Sequence, residues 1–355
     1  MIPITQRAVV VGVEDGSVEV TDKMELPELE ATAVLVKVAA TALNPVDTKM
    51  RHGFLDAGCV LGLDFAGTVV AVGTEQPAWR RLEVGDRVFG CTDGTDRRRP
   101  RVGAFSEFTA CRGSILIKMP DEMSFATAAT MGNAIFSSGF ALFHSLKLPG
   151  SLTQPAEKSH WVLVYGGATA TGTMALQFLR RAGHRPIAVC SPSHFDLAKE
   201  YGAIASFDYA SDTHVQDIRK LTNDALSYVF DCVTTPSSIV ACSEAIGRLG
   251  GRYTALDPFE QTLVRRKAIK TDWILTITLM GRGCVWPKPF ACEADTALLE
   301  WGTQLAAVAE SVLSGSAALK PHPARIMEGG LEAIPSGIEA IRQGQVRGFK
   351  LVYPL

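Results

Sequence analysis

The sequence predicts an α/β protein with two architectures in one chain, a β-rich first region and a doubly wound parallel sheet, followed by a short returning segment. Three observations carry this. The stretch "LVYGGATATGTMALQ", residues 163–177, begins as a buried strand, passes through two glycines and runs into a helical pattern. Downstream, strand-like runs alternate with helix-like segments at the spacing of a parallel sheet. Before residue 120, short apolar runs are separated by glycines and polar turns instead.

In chain order, "ATAVLVKVAATAL", "GLDFAGTVVAVG", "VGDRVFG" and "GAFSEFTAC" read as strands of an irregular barrel. The polar stretch "PGSLTQPAEKSH" (149–160) is a loop leading into the first strand of the parallel sheet. At the turn that follows, Gly166 and Gly167 permit the bend and Gly172 lets the helix pack close to the sheet. Such a turn aims unpaired helix N–H groups at one point, as a phosphate or pyrophosphate requires. The usual G-x-G-x-x-G spacing is absent; Ala168, Thr169, Ala170 and Thr171 stand between the glycines, and the two threonine hydroxyls can donate to the same anion.

Residues 185–191, 203–209, 226–233 and 250–256 read as the next strands. Between them lie "PSHFDLAKEYG" and "IVACSEAIGRLG", the second expected to end on Gly250 as a C-cap. "GRGCVWPKPF" (281–290) marks a break, and the last segment, from residue 326, returns to strand, helix, strand.

Composition narrows the function classes. Lys plus Arg number 35 against 37 Asp plus Glu, a net charge of −2, which suggests no general attraction to nucleic acid or membrane. No apolar run reaches the length of a membrane span and the N-terminus lacks a signal-peptide pattern, so a cytoplasmic enzyme is the expectation. The eight cysteines show no C-x-x-C pair and no metal-ligand spacing, so they read as a reduced, mostly buried set.

Cofactor choice is legible at the end of the second strand. Binders of the non-phosphorylated dinucleotide usually place Asp or Glu there; this chain has Cys190 followed by Ser191, Pro192, Ser193 and His194. With hydroxyl and imidazole donors here, and Tyr209 after the third strand, a 2'-phosphate fits, which favours NADPH over NADH.

"ALNPVDTKMRHG", "LGLDFAGTVVAVG", "VGDRVFG", "GAFSEF", the glycine turn and the closing "GFKLVY" together resemble the medium-chain dehydrogenase/reductase superfamily. The resemblance implies a GroES-like catalytic domain (1–125), an inserted NADPH-binding Rossmann domain (126–290) and a returning segment completing the catalytic domain (291–355), with the cofactor between the two domains. The zinc-dependent branch uses a Cys and a His-Glu pair as ligands; the matching positions here are Asn44, Leu63 and Asp64, so a zinc-independent member is expected and no metal. Within the zinc-free branch, "NPVDTKMR", "YGGATATGT", "CSPSHFDLAK", "AIGRLGGRY" and "TDWIL" resemble the fungal trans-acting enoyl reductases of highly reducing polyketide synthases, the lovastatin enoyl reductase-like family.

That resemblance implies NADPH contacts at Val46, Asp47, Thr48 and Lys49, at Gly166 and Ala168, Thr169, Ala170 and Thr171, at Ser191, Pro192, Ser193 and His194, at Tyr209, at Leu256 and Asp257, and at Val346 and Arg347. It implies an acyl pocket at Gly132, Asn133, Ala134, Ile135, Phe136, Ser137, Ser138 and Gly139, and at Ile277, Thr278, Leu279, Met280 and Gly281. The activity implied is NADPH-dependent reduction of the α,β double bond of carrier-tethered polyketide intermediates, in secondary metabolism. The partners implied are a highly reducing polyketide synthase and its acyl carrier domain. A stand-alone quinone or enone reductase and a non-catalytic NADPH-binding accessory protein are the alternatives.

Enoyl reduction needs a hydride at the β-carbon, a donor for the thioester oxygen and a proton at the α-carbon. Lys49 or the Ser137 hydroxyl can serve as the donor. Related mitochondrial enoyl reductases have a tyrosine after the glycine matching Gly53, but Phe54 and Leu55 follow here, which leaves Lys49 or water as the proton source. Lys49 can instead pair with cofactor phosphate or with Asp47. His52 reads as solvated, Asn44 as orienting the turn or the ribose, and Asp64 as capping a turn in the barrel. Finally, "DGTDRRRPRVG" (93–103) sets Arg97, Arg98, Arg99 and Arg101 in one loop, a candidate dock for an acidic carrier.

Overall fold

The structure is a computed structural model that describes residues 2–12, 17–49, 57–77, 80–315 and 318–355. The chain divides into two compact units: residues 1–133 with 277–316 and 321–355, and residues 134–276 with 317–320. These divisions fall at 133/134 and 276/277, where the sequence reading set its joins at 125/126 and 290/291.

The second unit holds the expected doubly wound sheet. Six parallel strands lie in the order Ala205–Asp208, Arg185–Cys190, Trp161–Tyr165, Tyr228–Asp231, Gly251–Ala255, Ile269–Trp273. Its core is apolar and closed: Leu163, Ile187, Val229, Tyr253 and Ile239 are all nearly inaccessible. Burying each such side chain contributes roughly 1.5–3 kcal/mol, which is why the inner strands read as continuous apolar runs.

Two helices differ from the reading. The segment from Pro192 is a short 3-10 turn, Pro192–His194, followed by the helix Phe195–Glu200. The next helix runs Pro236–Ala245, opened by a Thr235–Ser238 capping box and ended at Ile246, where the chain turns extended. Gly250 is therefore not its C-cap. It has a φ of +83° and turns the chain into the next strand, where a Cβ would stand 2.2 Å from the Ala268 carbonyl oxygen.

The first unit is β-rich, as expected. A seven-stranded sheet follows the order Ala324–Ile326, Lys350–Pro354, Ala33–Ala42, Asp64–Val72, Arg87–Cys91, Ile117–Lys118, with Phe108–Arg112 also pairing Ala33–Ala42. A separate antiparallel pair joins Thr5–Val11 to Val18–Glu25. The returning segment supplies the strand Lys350–Pro354, which pairs antiparallel to Ala33–Ala42 and so ties the chain's end to its beginning. It also contributes an 18-residue helix, Thr296–Leu313, that the sequence reading did not single out, capped by the Asp295 carboxylate on the N–H groups of Ala297 and Leu298. No helix among the described residues is long and apolar enough to cross a membrane.

Candidate active site

The glycine turn sits where the sheet's strand order reverses. Trp161–Tyr165 lies between Arg185–Cys190 and Tyr228–Asp231, so the chain leaving its carboxyl end enters the crevice where such sheets hold ligands. Gly166 takes a φ of +79°. A Cβ on Gly167 would stand 2.6 Å from the Ala188 Cβ, and one on Gly172 2.2 Å from the Gly166 carbonyl oxygen. These positions exclude side chains. The N–H groups of Gly166 and Gly167 donate to the Val189 carbonyl, that of Thr169 to Gly166 and that of Gly172 to Thr169 Oγ1, which leaves the helix-start donors of Ala170 and Thr171 for an anion.

The threonines have a local reason. Thr169 is the N-cap of the helix Ala170–Arg181, its hydroxyl accepting the Gly172 N–H at 3.0 Å. A glycine there would leave that N–H without its side-chain partner. The Thr171 carbonyl accepts from the Ser138 hydroxyl at 3.0 Å, which binds the turn to the helix Gly132–Gly139.

Behind the turn stands a residue that sequence reading missed. Asp231, fully buried at its strand end, accepts from Ser238 Oγ at 2.6 Å, from Tyr253 Oη at 2.9 Å and from the N–H groups of Val233 and Thr234 at 2.9 Å. Burial pushes its pKa up against these donors. The turn it holds lies against Gly166, whose Cβ would meet Val233 at 2.8 Å.

At the second strand's end, Ser191, Ser193 and His194 form one small network: Ser191 Oγ is 2.7 Å from His194 Nδ1 and 3.2 Å from Ser193 Oγ. The parallel register Asp208↔Cys190 brings Tyr209, half-exposed, to the neighbouring strand end. The same register brings Asp208, a carboxylate absent from the sequence argument; one of its oxygens accepts the Ala210 N–H at 2.9 Å. Leu256 and Asp257 follow Gly251–Ala255 at the same edge of the sheet. The sheet thus lines up Gly166 to Thr171, Ser191 to His194, Tyr209, Leu256 and Asp257 along its carboxyl ends.

In the first unit, Val46, Asp47, Thr48 and Lys49 form the short helix Pro45–Lys49. Lys49 is exposed at its end. Asp47 is fully buried, with one oxygen accepting the Asn44 N–H at 2.6 Å, so this carboxylate faces the interior. Its pKa is raised to about 7, chiefly by burial and further by Asp64, against the Asn44 N–H and Lys350.

Asp64 is not a cap for a barrel turn. It is wholly buried and forms an ion pair with Lys350, itself only 5% exposed. The same carboxylate accepts the Asn44 amide at 2.9 Å and the Asn133 N–H at 2.6 Å, at the start of the helix Gly132–Gly139. Lys350 Nζ also donates to Asn44 Oδ1 at 3.0 Å. Both ends of the Asn44 side chain are thus engaged in the interior, orienting the turn. Nothing in the spacing of Asn44, Asp64 and Lys350 signals this cluster; only strand pairing gathers them.

The two acyl-pocket segments belong to different stretches of the fold. Gly132–Gly139 is a helix continued by a π-helical turn, Phe140–Ser145, and the first division of the chain falls inside it. Ile135, Phe136 and Ser137 are buried, and Ser137 Oγ is 2.7 Å from Thr276 Oγ1. That partner was also missed. Thr276–Met280 is a single 3-10 turn with Ile277, Leu279 and Met280 buried, ending at Gly281 with a φ of +71°. Val346 and Arg347 lie on the turn between the helix Gly330–Arg342 and the strand Lys350–Pro354. His52, Gly53, Phe54 and Leu55 lie outside the described residues.

The arginine loop is not an open basic surface. Arg98 is held by Asp96 at 2.6 Å, Arg99 pairs with Asp93, and Arg101 pairs with Glu25. Carboxylates within the loop and on the first hairpin compensate Arg98, Arg99 and Arg101, which weakens the charge argument for docking.

Two family models match the chain: the alcohol dehydrogenase GroES-like domain over residues 30–121 and the zinc-binding dehydrogenase over residues 170–256. The trans-enoyl reductase milB of Cordyceps militaris is 78% identical, covering 100% of this chain and 99% of its own. The trans-enoyl reductase buaC of Petromyces alliaceus is 42% identical over 99% of this chain and 98% of its own. Among solved structures, the CurK enoyl reductase superposes with a TM-score of 0.73 at 18% identity, over 99% of this chain and 98% of its own, a likeness of fold. The zinc in the second model's description does not fit these residues. The catalytic-ligand positions carry Asn44, Leu63 and Asp64, and the Lys350 ammonium already bonds both Asn44 and Asp64.

Proposed function

The chain belongs to the trans-enoyl reductases of the medium-chain dehydrogenase/reductase superfamily, and on that premise we propose which cofactor, substrate form and residues it uses. It is an oxidoreductase that reduces an enoyl double bond in polyketide biosynthesis, working with a polyketide synthase and a nicotinamide cofactor. The finer reading is NADPH as that cofactor and an acyl chain tethered to the synthase's carrier domain as substrate.

The observation that carries it is the cradle from Gly166 to Gly172, where Gly166, Gly167 and Gly172 admit no side chain and a capped helix begins at the sheet's switch point. Its residues fit a dinucleotide pyrophosphate. Ser191, Ser193, His194 and Tyr209 supply donors for a 2'-phosphate, with the Asp208 carboxylate opposing them at the neighbouring strand end. When bound, the reduced nicotinamide supplies the hydride.

The chain's own groups do the rest. Lys49, exposed, donates to the thioester oxygen as it takes up charge, or passes a proton to the α-carbon. Ser137, buried and paired with Thr276, is better placed to shape the acyl segment than to meet a reacting oxygen. Asp47, Asn44 and Asp64 hold the helix that presents Lys49.

Crotonyl thioester with NADPH, followed by loss of the reduced nicotinamide's absorbance, tests the activity; binding of NADPH without its oxidation would leave only the accessory reading. Titration with both dinucleotides tests the 2'-phosphate assignment, which equal affinities would remove. Lys49→Ala is expected to lower kcat by roughly 10²–10⁴-fold, more than it weakens NADPH binding, and a change in cofactor affinity alone would remove the proton-donor role. Acyl groups on the carrier domain should be reduced faster than on a short thiol, since tethering raises effective concentration. Equal rates on the two would favour a stand-alone enone reductase.

A further inference from the structure

Cys284 and Cys292 stand apart from the other cysteines. They face each other as an antiparallel bridge, the Cys284 N–H donating to the Cys292 carbonyl at 2.8 Å and the Cys292 N–H to the Cys284 carbonyl at 3.1 Å. Their sulfurs are 3.5 Å apart, the Cys292 thiol donating to the Cys284 sulfur and the Cys284 thiol to the Phe290 carbonyl at 3.0 Å. Cys284 is 5% exposed and Cys292 is partly exposed.

A residue pair that exchanges both backbone bonds has Cα atoms about 5.5 Å apart, inside the roughly 4.4–6.8 Å that a disulfide spans. Closing the bond therefore asks for side-chain rotation and sacrifices no backbone hydrogen bond. The surrounding chain holds the register. Arg98, clamped by Asp96, donates to the Gly283 carbonyl at 2.5 Å, and the Trp286 indole donates to the Thr95 carbonyl at 2.9 Å. The Arg98 guanidinium also favours thiolate at Cys292.

We propose that Cys284 and Cys292 form a reversible redox-modification site, closing to a disulfide with a small-molecule disulfide such as oxidised glutathione. The Cys292 thiolate attacks one sulfur of the oxidant and expels one glutathione thiolate. The Cys284 thiolate then attacks the Cys292 sulfur of the mixed disulfide and expels the second. The two protein thiols lose two electrons, the oxidant is reduced to two thiols, and the two protons released by the cysteines are taken up by the expelled thiolates. The closed ring ties residues 285–291 into a loop whose base follows Gly281. Burial and the Cys284 contact push the Cys292 thiol up to about 11, so the first attack is slow at neutral pH.

The site is independent of the activity proposed above, and so is its test. The folded full-length protein is incubated with oxidised glutathione, quenched with an alkylating reagent in denaturant and weighed intact. Two of the eight cysteines should escape alkylation, with peptide mapping joining Cys284 to Cys292 and a dithiol reductant restoring both. Because these two sulfurs face each other, their pair should be lost at least about ten-fold faster than any other thiol pair. The variant Cys284→Ser should instead stop at a single glutathione adduct on Cys292. Full alkylation of the native chain, a persistent glutathione adduct on it, or a cross-link mapping elsewhere would each overturn the proposal.

Discussion

Asp64 and Asp231 are both fully buried carboxylates at a strand end, but the chain compensates them by different means. Asp64 is met by a buried ammonium, Lys350, far away in sequence. Asp231 is met by neutral donors, two hydroxyls and two backbone N–H groups, all within its own unit, and no Lys, Arg or His pairs with it among the described residues. A buried charge left alone costs several kcal/mol, and either a counter-ion or a ring of dipoles offsets it. The two solutions fail differently. Removing the one cation leaves the buried Asp64 charge to two dipoles, the Asn44 amide and the Asn133 N–H, whereas removing one dipole of several at Asp231 uncovers a fraction.

Lys350→Met should therefore have the largest effect, a loss of about 3–5 kcal/mol in denaturant unfolding. Adding Asp64→Asn to it should recover much of that, because no unpaired charge then remains. A single-variant loss no larger than an ordinary surface substitution would contradict the ion pair's role.

Asp47 sharpens the contrast through pH. Its folded pKa, about 7, lies above the ordinary 3.8. The folded chain thus keeps a proton that the unfolded chain releases. The resulting stability is full at the acid end of this window, falls by up to about 1.4 kcal/mol per pH unit across it, and is lost above it. Asp47→Asn should flatten that slope in denaturant titrations between those pH values. An unchanged slope would mean that another group sets it.

Tyr253→Phe should have the smallest effect, about 1 kcal/mol, since Ser238 and the two N–H groups still hold Asp231. A loss equal to that of Lys350→Met would show that the donors around Asp231 act as one unit and that the distinction between cation and dipoles is false.

Much of the fold was legible because its signals are local. The strand, the glycines and the helix from residue 163 are contiguous, and Gly166 and Gly172 are required there by a positive φ and by a close backbone approach. Where the reading slipped, the deciding neighbour was elsewhere. Gly250 looked like a helix cap, but its conformation is set by the approach to Ala268. Arg98, Arg99 and Arg101 looked like an open basic patch, but Asp96, Asp93 and Glu25 neutralise them once the loop folds back.

The sequence by itself determined the alternation of strands and helices, the turn at Gly166 and Gly167, and the family, since these follow from periodicity, backbone sterics and contiguous motifs. The tertiary structure alone decided the buried set of Asn44, Asp64 and Lys350, the Ser137–Thr276 hydroxyl pair and the facing thiols of Cys284 and Cys292. The physical reason is register. A strand pairing sets a side chain against whichever residue lies opposite, however distant in sequence. Lys350 finds Asp64 only because the last strand pairs with Ala33–Ala42, which in turn pairs Ala42 with Asp64.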